Sequence, residues 1–166
     1  MNYFKVPYFL FPFAYHSKLK NKIIEGIDKQ ESYSHDNIND TDWTVDSSPY
    51  FDIFKNEFIQ EVDKKFSKFF IGPWTVGKVW YQRYSTGNDH LWHKHGKCHW
   101  TCIYYVQLPE DAPGTHIKDP YTNQIITLPV REGDIFIIPS QLWHCSPVNQ
   151  SNKNKLIISL NIDSND

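Results

Sequence analysis

The chain has 166 residues and a formal net charge of −2 at pH 7, and 16 % of its residues are aromatic. This length fits one domain, residues 1–166, with a sizeable core, and the aromatic content argues against a disordered chain. The slightly acidic balance excludes the basic surface of a protein that binds duplex nucleic acid, so no nucleic-acid partner is expected.

The cysteines and the N-terminus indicate where the protein works. The chain has three cysteines, an odd number, at Cys98, Cys102 and Cys145. Its first residues show no charged segment followed by an apolar core, and no apolar run is long enough to cross a bilayer. We therefore expect a soluble cytoplasmic protein with free thiols and no membrane partner.

The N-terminal part, residues 1–72, is predicted to form an arm and two helices that buttress the remainder. Residues 1–15 are aromatic and punctuated by prolines, which favours an extended arm laid across the domain. From Ser17 to Gln30 leucine and isoleucine recur at helical spacing, which predicts an amphipathic helix capped by Ser17.

A polar loop and a second helix should follow. Residues 31–48 are mostly polar, and a loop of this length is typically mobile or functional. From Pro49 to Phe70 apolar residues recur every three or four positions, which predicts a helix packed against a sheet. The apolar stripe comprises Phe51, Phe54, Phe58, Val62, Phe66 and Phe69.

Residues 73–163 change to the pattern of short strands. Segments rich in valine, isoleucine, tyrosine, tryptophan and threonine are separated by turn residues such as glycine, proline and aspartate. About eight strands at this spacing predict a mainly β structure with N-terminal helices (α+β), built on a double-stranded β-helix, the jelly-roll or cupin-like barrel. The predicted strands are 75–84, 90–95, 99–107, 115–118, 124–128, 134–139, 143–148 and 155–162.

Three histidines are candidate metal ligands. His93 and His95 are separated by one residue on an extended segment, so their imidazoles should point to the same face. His144 follows Pro139 at the predicted start of another strand. Neutral imidazoles suit iron(II), and also zinc, copper or nickel.

A cation is predicted to lie inside the same barrel. Lys155, Ile157 and Ser159 share one face of the last strand, and a lysine directed into a small barrel is costly to bury unless it holds an anion. Tyr84 and Tyr105 should lie beside it. If the register of the strand is shifted, Lys153 takes the place of Lys155.

Together these segments resemble the Fe(II)/2-oxoglutarate-dependent oxygenases, in particular the prolyl-hydroxylase-like branch and the small oxygenases of phage and bacterial genomes. The resemblance covers about residues 75–163. It rests on the His-x-His pair followed by Thr101–Gln107 (TCIYYVQ), on Glu132–Pro139 (EGDIFIIP) with His144 five residues on, and on Lys155–Asn161 (KLIISLN).

The resemblance implies a double-stranded β-helix whose iron is held by His93, His95 and His144. Most of the superfamily has a carboxylate at the middle position, so His95 is a departure. A site without that negative charge would differ in iron affinity and redox tuning.

The resemblance also implies a cosubstrate site. The family pairs the distal carboxylate of 2-oxoglutarate with a basic residue that opens the last strand, usually arginine, and here this residue is Lys155. Lysine supplies the charge but not the bidentate fork. Tyr84, Tyr105 and Ser159 match positions that hydrogen-bond the cosubstrate in prolyl-hydroxylase relatives.

The implied reaction is the family's hydroxylation of a C–H bond, with O₂ consumed and 2-oxoglutarate decarboxylated to succinate. Ascorbate is a candidate accessory reductant. The expected partner is a peptide, in particular a peptidyl proline, or a small amino-acid-like molecule, and the loop 31–48 is a candidate lid that selects it.

Four alternatives stay open. Cupins also carry His-x-His on an early strand, but they normally add a glutamate where this chain has Cys98, His99 and Trp100. A metal-free β-sandwich could bind a sugar or peptide with its aromatic residues. Within a metal site, His99 is an alternative ligand to His95. Cys98 and Cys102 could instead form a structural zinc site with the nearby histidines, although their spacing matches no usual zinc finger.

Overall fold

Two antiparallel sheets and two α-helices are observed in the computed structural model, which describes residues 6–69 and 72–164. The helices are α1 (His16–Ile27) and α2 (Lys55–Phe66), and a 3₁₀ helix spans Pro49–Ile53. The strands are β1 (Phe9–Pro12), β2 (Tyr33–His35), β3 (Ile38–Thr41), β4 (Trp74–Tyr84), β5 (His90–His93), β6 (Trp100–Gln107), β7 (His116–Lys118), β8 (Ile125–Thr127), β9 (Asp134–Pro139), β10 (His144–Ser146) and β11 (Lys155–Ser164).

The larger sheet has the order β1-β9-β6-β11-β4-β3-β2, and the smaller sheet has the order β5-β10-β7-β8. Strand β11 lies at the centre of the larger sheet, between β4 and β6. Each of the eight strands predicted in the C-terminal half overlaps an observed strand.

Side-chain alternation along β6 divides the interior into two cores. Cys102 and Tyr104 face the helices, where they pack in one apolar cluster with Phe54 and Phe58. Ile103 and Tyr105 face the smaller sheet. The second core therefore lies between the two sheets, and the candidate site lies on the same side.

The two helices are shorter than predicted. Helix α1 begins at His16, so Ser17 lies inside its first turn, and Tyr15 at the N-cap makes no side-chain capping bond. The predicted second helix is interrupted at Phe54, whose φ of −131° is not helical, so that a 3₁₀ turn precedes α2.

The predicted apolar stripe is buried except at its end. Phe69 follows the end of α2 and is 69 % exposed, because the chain no longer follows the helical period there. The predicted helix end at Phe70 lies outside the described residues.

The segment 31–48 was predicted to be a loop, but it contains a β-hairpin. His35 pairs with Ile38, which leaves Asp36 and Asn37 as a two-residue turn. Asp36 has a φ of 51°, a conformation that aspartate and asparagine tolerate better than most residues and that favours tight hairpins. The hairpin continues the larger sheet, because β3 pairs with β4.

The N-terminal arm is tied to the sheet by main-chain pairing. Phe9 to Pro12 form β1, which pairs antiparallel with β9. Residues 1–5 of the predicted arm lie outside the described residues. Among the residues described, no helix is long and apolar enough to cross a membrane.

Candidate metal and cosubstrate site

Three imidazoles converge where the smaller sheet faces the larger one. His93 ends β5 and His144 begins β10, and the two are direct partners in the strand register. His95 follows two residues after His93. One nitrogen from each ring lies within 4.8 Å of the others, and no other such group of potential metal ligands occurs in the described part of the chain.

The hydrogen bonds of these rings leave the same nitrogen free in each. The Nδ1–H of His93 donates to the Leu91 carbonyl (2.7 Å), and that of His144 donates to the Leu142 carbonyl (2.8 Å). A carbonyl oxygen can only accept, so both Nδ1 atoms carry the proton and both Nε2 atoms keep a lone pair. This is the tautomer in which a histidine binds a metal through Nε2.

His95 is oriented by the larger sheet. Its Nδ1 lies 3.0 Å from the amide oxygen of Asn161 and 2.8 Å from the hydroxyl of Thr101. Asn161 on β11 and Thr101 on β6 are register partners, so one rung of the sheet holds the ring. The outward nitrogen of His95 is again Nε2.

Burial keeps the cluster neutral. It lowers the pKa of His93 and of His95, and it lowers that of His144 to about 3, with repulsion from His93 as the next cause. Neutral imidazole is the ligating form. The donor set therefore fits a first-row transition metal.

Lys155 lies fully buried near the cluster. Its Nζ donates to the Pro113 carbonyl (2.8 Å) and to the Ser146 hydroxyl (2.9 Å), and it lies 5.3 Å from the centre of the Tyr84 ring. Burial lowers its pKa to about 7. No carboxylate among the described residues pairs with it. A buried cation with only neutral partners fits an anionic ligand.

A cavity of about 20 Å³ lies between the histidines and the partners of Lys155. Tyr84 and Ser159 line it together with Ser146, and Ser159 donates a hydrogen bond to the Gln82 side chain (3.3 Å). This volume holds about one water molecule. A five-carbon dicarboxylate therefore requires the lining side chains to move apart.

Tyr105 lies one layer further from the cavity than predicted. Its hydroxyl donates to Thr115 Oγ1 (2.7 Å), and Thr115 is the residue that lines the cavity. Lys153, the alternative anchor, is exposed in a different groove beside Lys20 and Glu132.

The alternative metal ligands do not reach the cluster. The side chain of His99 is 61 % exposed and pairs with Asp163 at 3.2 Å. Cys102 faces the helix-side core, on the opposite side of β6 from the histidines. His99 therefore does not take the place of His95 in this cluster, and Cys102 lies on the wrong side of β6 to share a zinc site with the clustered histidines.

His90 lies beside the three clustered histidines. Its ring stacks on His93 with 4.0 Å between centroids, and its Nδ1 accepts a hydrogen bond from the Gln82 amide (3.1 Å). His93 pairs with His144 and His90 pairs with Ser146, so β5 has one more residue between these pairs than β10. The extra residue forms a β-bulge, which brings both rings to the same side. Regular alternation would have placed them on opposite faces.

A larger cavity of about 740 Å³ adjoins the cluster. His35, Ile38 and Thr41 of the hairpin line it together with Trp43. The segment predicted to be a substrate-selecting lid thus forms one wall of this cavity.

Comparison with known families decides the class of protein. Residues 78–161, just over half of the chain, match the model of a family described as "Putative 2OG-Fe(II) oxygenase". The chain belongs to this family. The matched segment contains the three clustered histidines and Lys155. No curated protein matches the chain.

Solved structures give the same fold at low sequence identity. The viral collagen prolyl hydroxylase vCPH from Paramecium Bursaria Chlorella virus-1, solved as a 2-oxoglutarate complex, is 15 % identical, with a TM-score of 0.68 over 96 % of both chains. HygX from Streptomyces hygroscopicus, solved with nickel, 2-oxoglutarate and hygromycin B, is 11 % identical, with a TM-score of 0.70 over 95 % of this chain and 83 % of that one. These matches confirm the predicted double-stranded β-helix.

Membership in the family agrees with the predicted cofactors, iron(II) and 2-oxoglutarate, and with an oxygenase that consumes O₂. It favours the oxygenase over the cupin without 2-oxoglutarate and over the metal-free binding module.

Proposed function

We propose that this protein is an Fe(II)- and 2-oxoglutarate-dependent dioxygenase that hydroxylates a C–H bond. The observation that carries the proposal is the convergence of three imidazoles, with one nitrogen of each within 4.8 Å of the others, near a buried lysine that has no anionic partner in the described residues. An enzyme that binds a metal and a dicarboxylate needs both features, whereas a structural metal site needs only the first.

In this proposal His93, His95 and His144 hold iron through Nε2. With iron and cosubstrate bound, the site would supply the family's chemistry, in which O₂ is consumed and 2-oxoglutarate loses CO₂. The carbonyls of Leu91 and Leu142 and the Asn161 amide fix the rings before the metal arrives. Such outer partners raise ligand basicity and metal affinity.

Lys155 is proposed to pair with the distal carboxylate of 2-oxoglutarate. An arriving carboxylate would replace neutral partners of the ammonium with a charged one, which stabilises the protonated lysine inside the protein. Tyr84 and Ser159 line the same cavity and can donate hydroxyl hydrogen bonds. Tyr105 is proposed to act through Thr115, which its hydroxyl holds in position.

The proposed substrate is a peptidyl proline or another peptide side chain, or a small amino-acid-like molecule. The collagen prolyl hydroxylase among the structural neighbours supports the first of these by fold. The cavity of about 740 Å³ beside the histidines has the size of a binding site for a small molecule or for a few residues of a peptide.

The proposal is tested by coupled binding and turnover. Under anaerobic conditions Fe(II) and 2-oxoglutarate together should give a weak visible absorption band, and admission of O₂ should release succinate even without substrate. His144→Ala should abolish metal binding, while Lys155→Met should retain the metal and lose the cosubstrate. A wild-type protein that binds neither Fe(II) nor 2-oxoglutarate would refute the proposal.

A further inference from the structure

The larger cavity is placed to present a molecule to the histidine cluster. His93 and His95 line both this cavity and the small one that leads toward Lys155, and so do Trp80, Gln82 and His90. A molecule in the larger cavity therefore contacts the wall that carries two of the three clustered imidazoles.

The charges around this cavity are of the opposite sign to the net charge of the chain. Three lysines line it, Lys78, Lys94 and Lys97, against a single carboxylate, that of Asp163. Asp163 is engaged by His99, through both its backbone N–H and its ring at 3.2 Å. Among the described residues none of the three lysines forms an ion pair. Lys94 lines the cavity while its Nζ lies 5.6 Å from the centre of the Trp143 ring, which is outside the lining. In a chain of net charge −2, the lining of this cavity therefore carries a local excess of positive charge.

An aromatic wall lies beside the lysines. Trp43 and Trp80 pack edge to face, with 4.5 Å between ring centroids, and Nζ of Lys78 lies 5.1 Å from the centre of the Trp43 ring. Trp80 is buried, while Trp43 is partly exposed to the cavity. Indole faces bind flat or apolar groups. The Lys78 ammonium therefore lies next to a surface that can bind such a group.

We propose that this cavity binds the primary substrate, and that the substrate carries an anionic group, a carboxylate or a phosphate, on a flat or apolar body. The anion meets Lys78, Lys94 and Lys97, and the body lies against Trp43. A peptide substrate would then be an acidic one, and an amino-acid-like substrate would be recognised through its carboxylate. The assignment of the bound molecule as the substrate rests on the proposed function, but the binding itself does not require a metal.

Four probes of similar size differ in charge. Phenylacetate and phenyl phosphate are anions, phenylacetamide is neutral, and phenethylamine is a cation. Their dissociation constants are measured by ligand-observed NMR on the full chain, both metal-free and loaded with Fe(II) under anaerobic conditions. At least one anion should bind about fivefold or more tightly than the neutral amide, and the amine should bind most weakly. The better of the two anions identifies the group as carboxylate or phosphate. Equal affinity for amide and anions would overturn the proposal.

Lysine variants locate the binding. Lys78→Gln, Lys94→Gln and Lys97→Gln should each weaken the anion roughly two- to fivefold and leave the amide unchanged. Lys118→Gln is the matched control, because Lys118 lies over the Trp92 ring and does not line this cavity. An equal loss in Lys118→Gln would overturn the proposal.

Two further outcomes separate this proposal from the proposed dioxygenase function. Lys155→Met should retain anion binding, and its loss there would mean that the probes occupy the cosubstrate site, which also overturns the proposal. A protein that binds the anions but neither Fe(II) nor 2-oxoglutarate would refute the dioxygenase and leave the anion site standing. Circular dichroism of each variant confirms that a loss of binding is not a loss of fold.

Discussion

Replacing Lys155 with methionine should make the protein more stable while removing its affinity for 2-oxoglutarate. The side chain is 0 % exposed, and its ammonium has only the Pro113 carbonyl and the Ser146 hydroxyl as partners. Burial lowers its pKa from 10.5 to about 7. The folded protein therefore carries a destabilising group, which the proposed role of Lys155 as the anchor of 2-oxoglutarate would explain.

The magnitude follows from the difference in pKa between the folded and unfolded chain. At pH 7 the lysine is fully protonated when unfolded but only about half protonated when folded, which costs about 4 kcal/mol of stability. Methionine has a similar length and no charge, so it avoids this cost. It also loses two hydrogen bonds, each contributing about 1 kcal/mol. The net gain of about 2 kcal/mol should raise Tm by roughly 4–8 °C in a chain of this size.

The assay combines thermal unfolding at pH 7 with calorimetric titration of 2-oxoglutarate into the Fe(II)-loaded protein under anaerobic conditions. Lys153→Met is the matched control, because Lys153 is exposed two residues away, and it should change neither quantity. A Lys155→Met variant that is less stable than wild type would refute the reasoning from burial. Unchanged affinity for 2-oxoglutarate would refute the role of Lys155 as the anchor.

Three other predictions follow from the same geometry. Asn161→Leu should weaken metal binding about 10- to 100-fold, because it removes the acceptor that orients His95. The affinity is measured by competition with a chelating dye, and an unchanged value would show that the Thr101 hydroxyl alone orients the ring. The dissociation constant of 2-oxoglutarate should rise up to about tenfold per pH unit above pH 7, since burial lowers the pKa of Lys155 and only its protonated form pairs with the anion; calorimetry from pH 6 to 9 that finds a constant affinity would contradict this. Phe58→Ala should destabilise the fold by about 3–5 kcal/mol in urea unfolding, because Phe58 is fully buried in the helix-side core, while the metal affinity of the folded protein should stay unchanged.

Most of the fold could be predicted because the residue pattern of each strand is visible in its own short segment of sequence. The strand predicted at 99–107 is observed as β6, and its period of two places Ile103 and Tyr105 on the side of the smaller sheet. The hairpin at 33–41 was missed because its strands are short and polar, and its stability comes from pairing with β4. The turn Asp36–Asn37 was the available signal, since this pair favours a two-residue hairpin.

The grouping of the three histidines was predicted from spacing, whereas their surroundings were not. His93 and His95 could be paired through the strand period, and His144 through its position at a strand start. The stacking of His90 depends on a bulge that the period cannot reveal. The lysines around the larger cavity come from β4 and from the turn after His93, and only the folded chain brings Lys78 near Lys94 and Lys97.

The central claim, that three histidines and Lys155 form one iron and 2-oxoglutarate site, is tested most directly by visible absorption during anaerobic titration. Fe(II) is added first and 2-oxoglutarate second, with His144→Ala and Lys155→Met measured in parallel. We expect a weak band in the wild-type protein only when both are present, no band in His144→Ala, and a band in Lys155→Met only at much higher cosubstrate concentration. A wild-type protein that gives no band and retains no iron would contradict the claim.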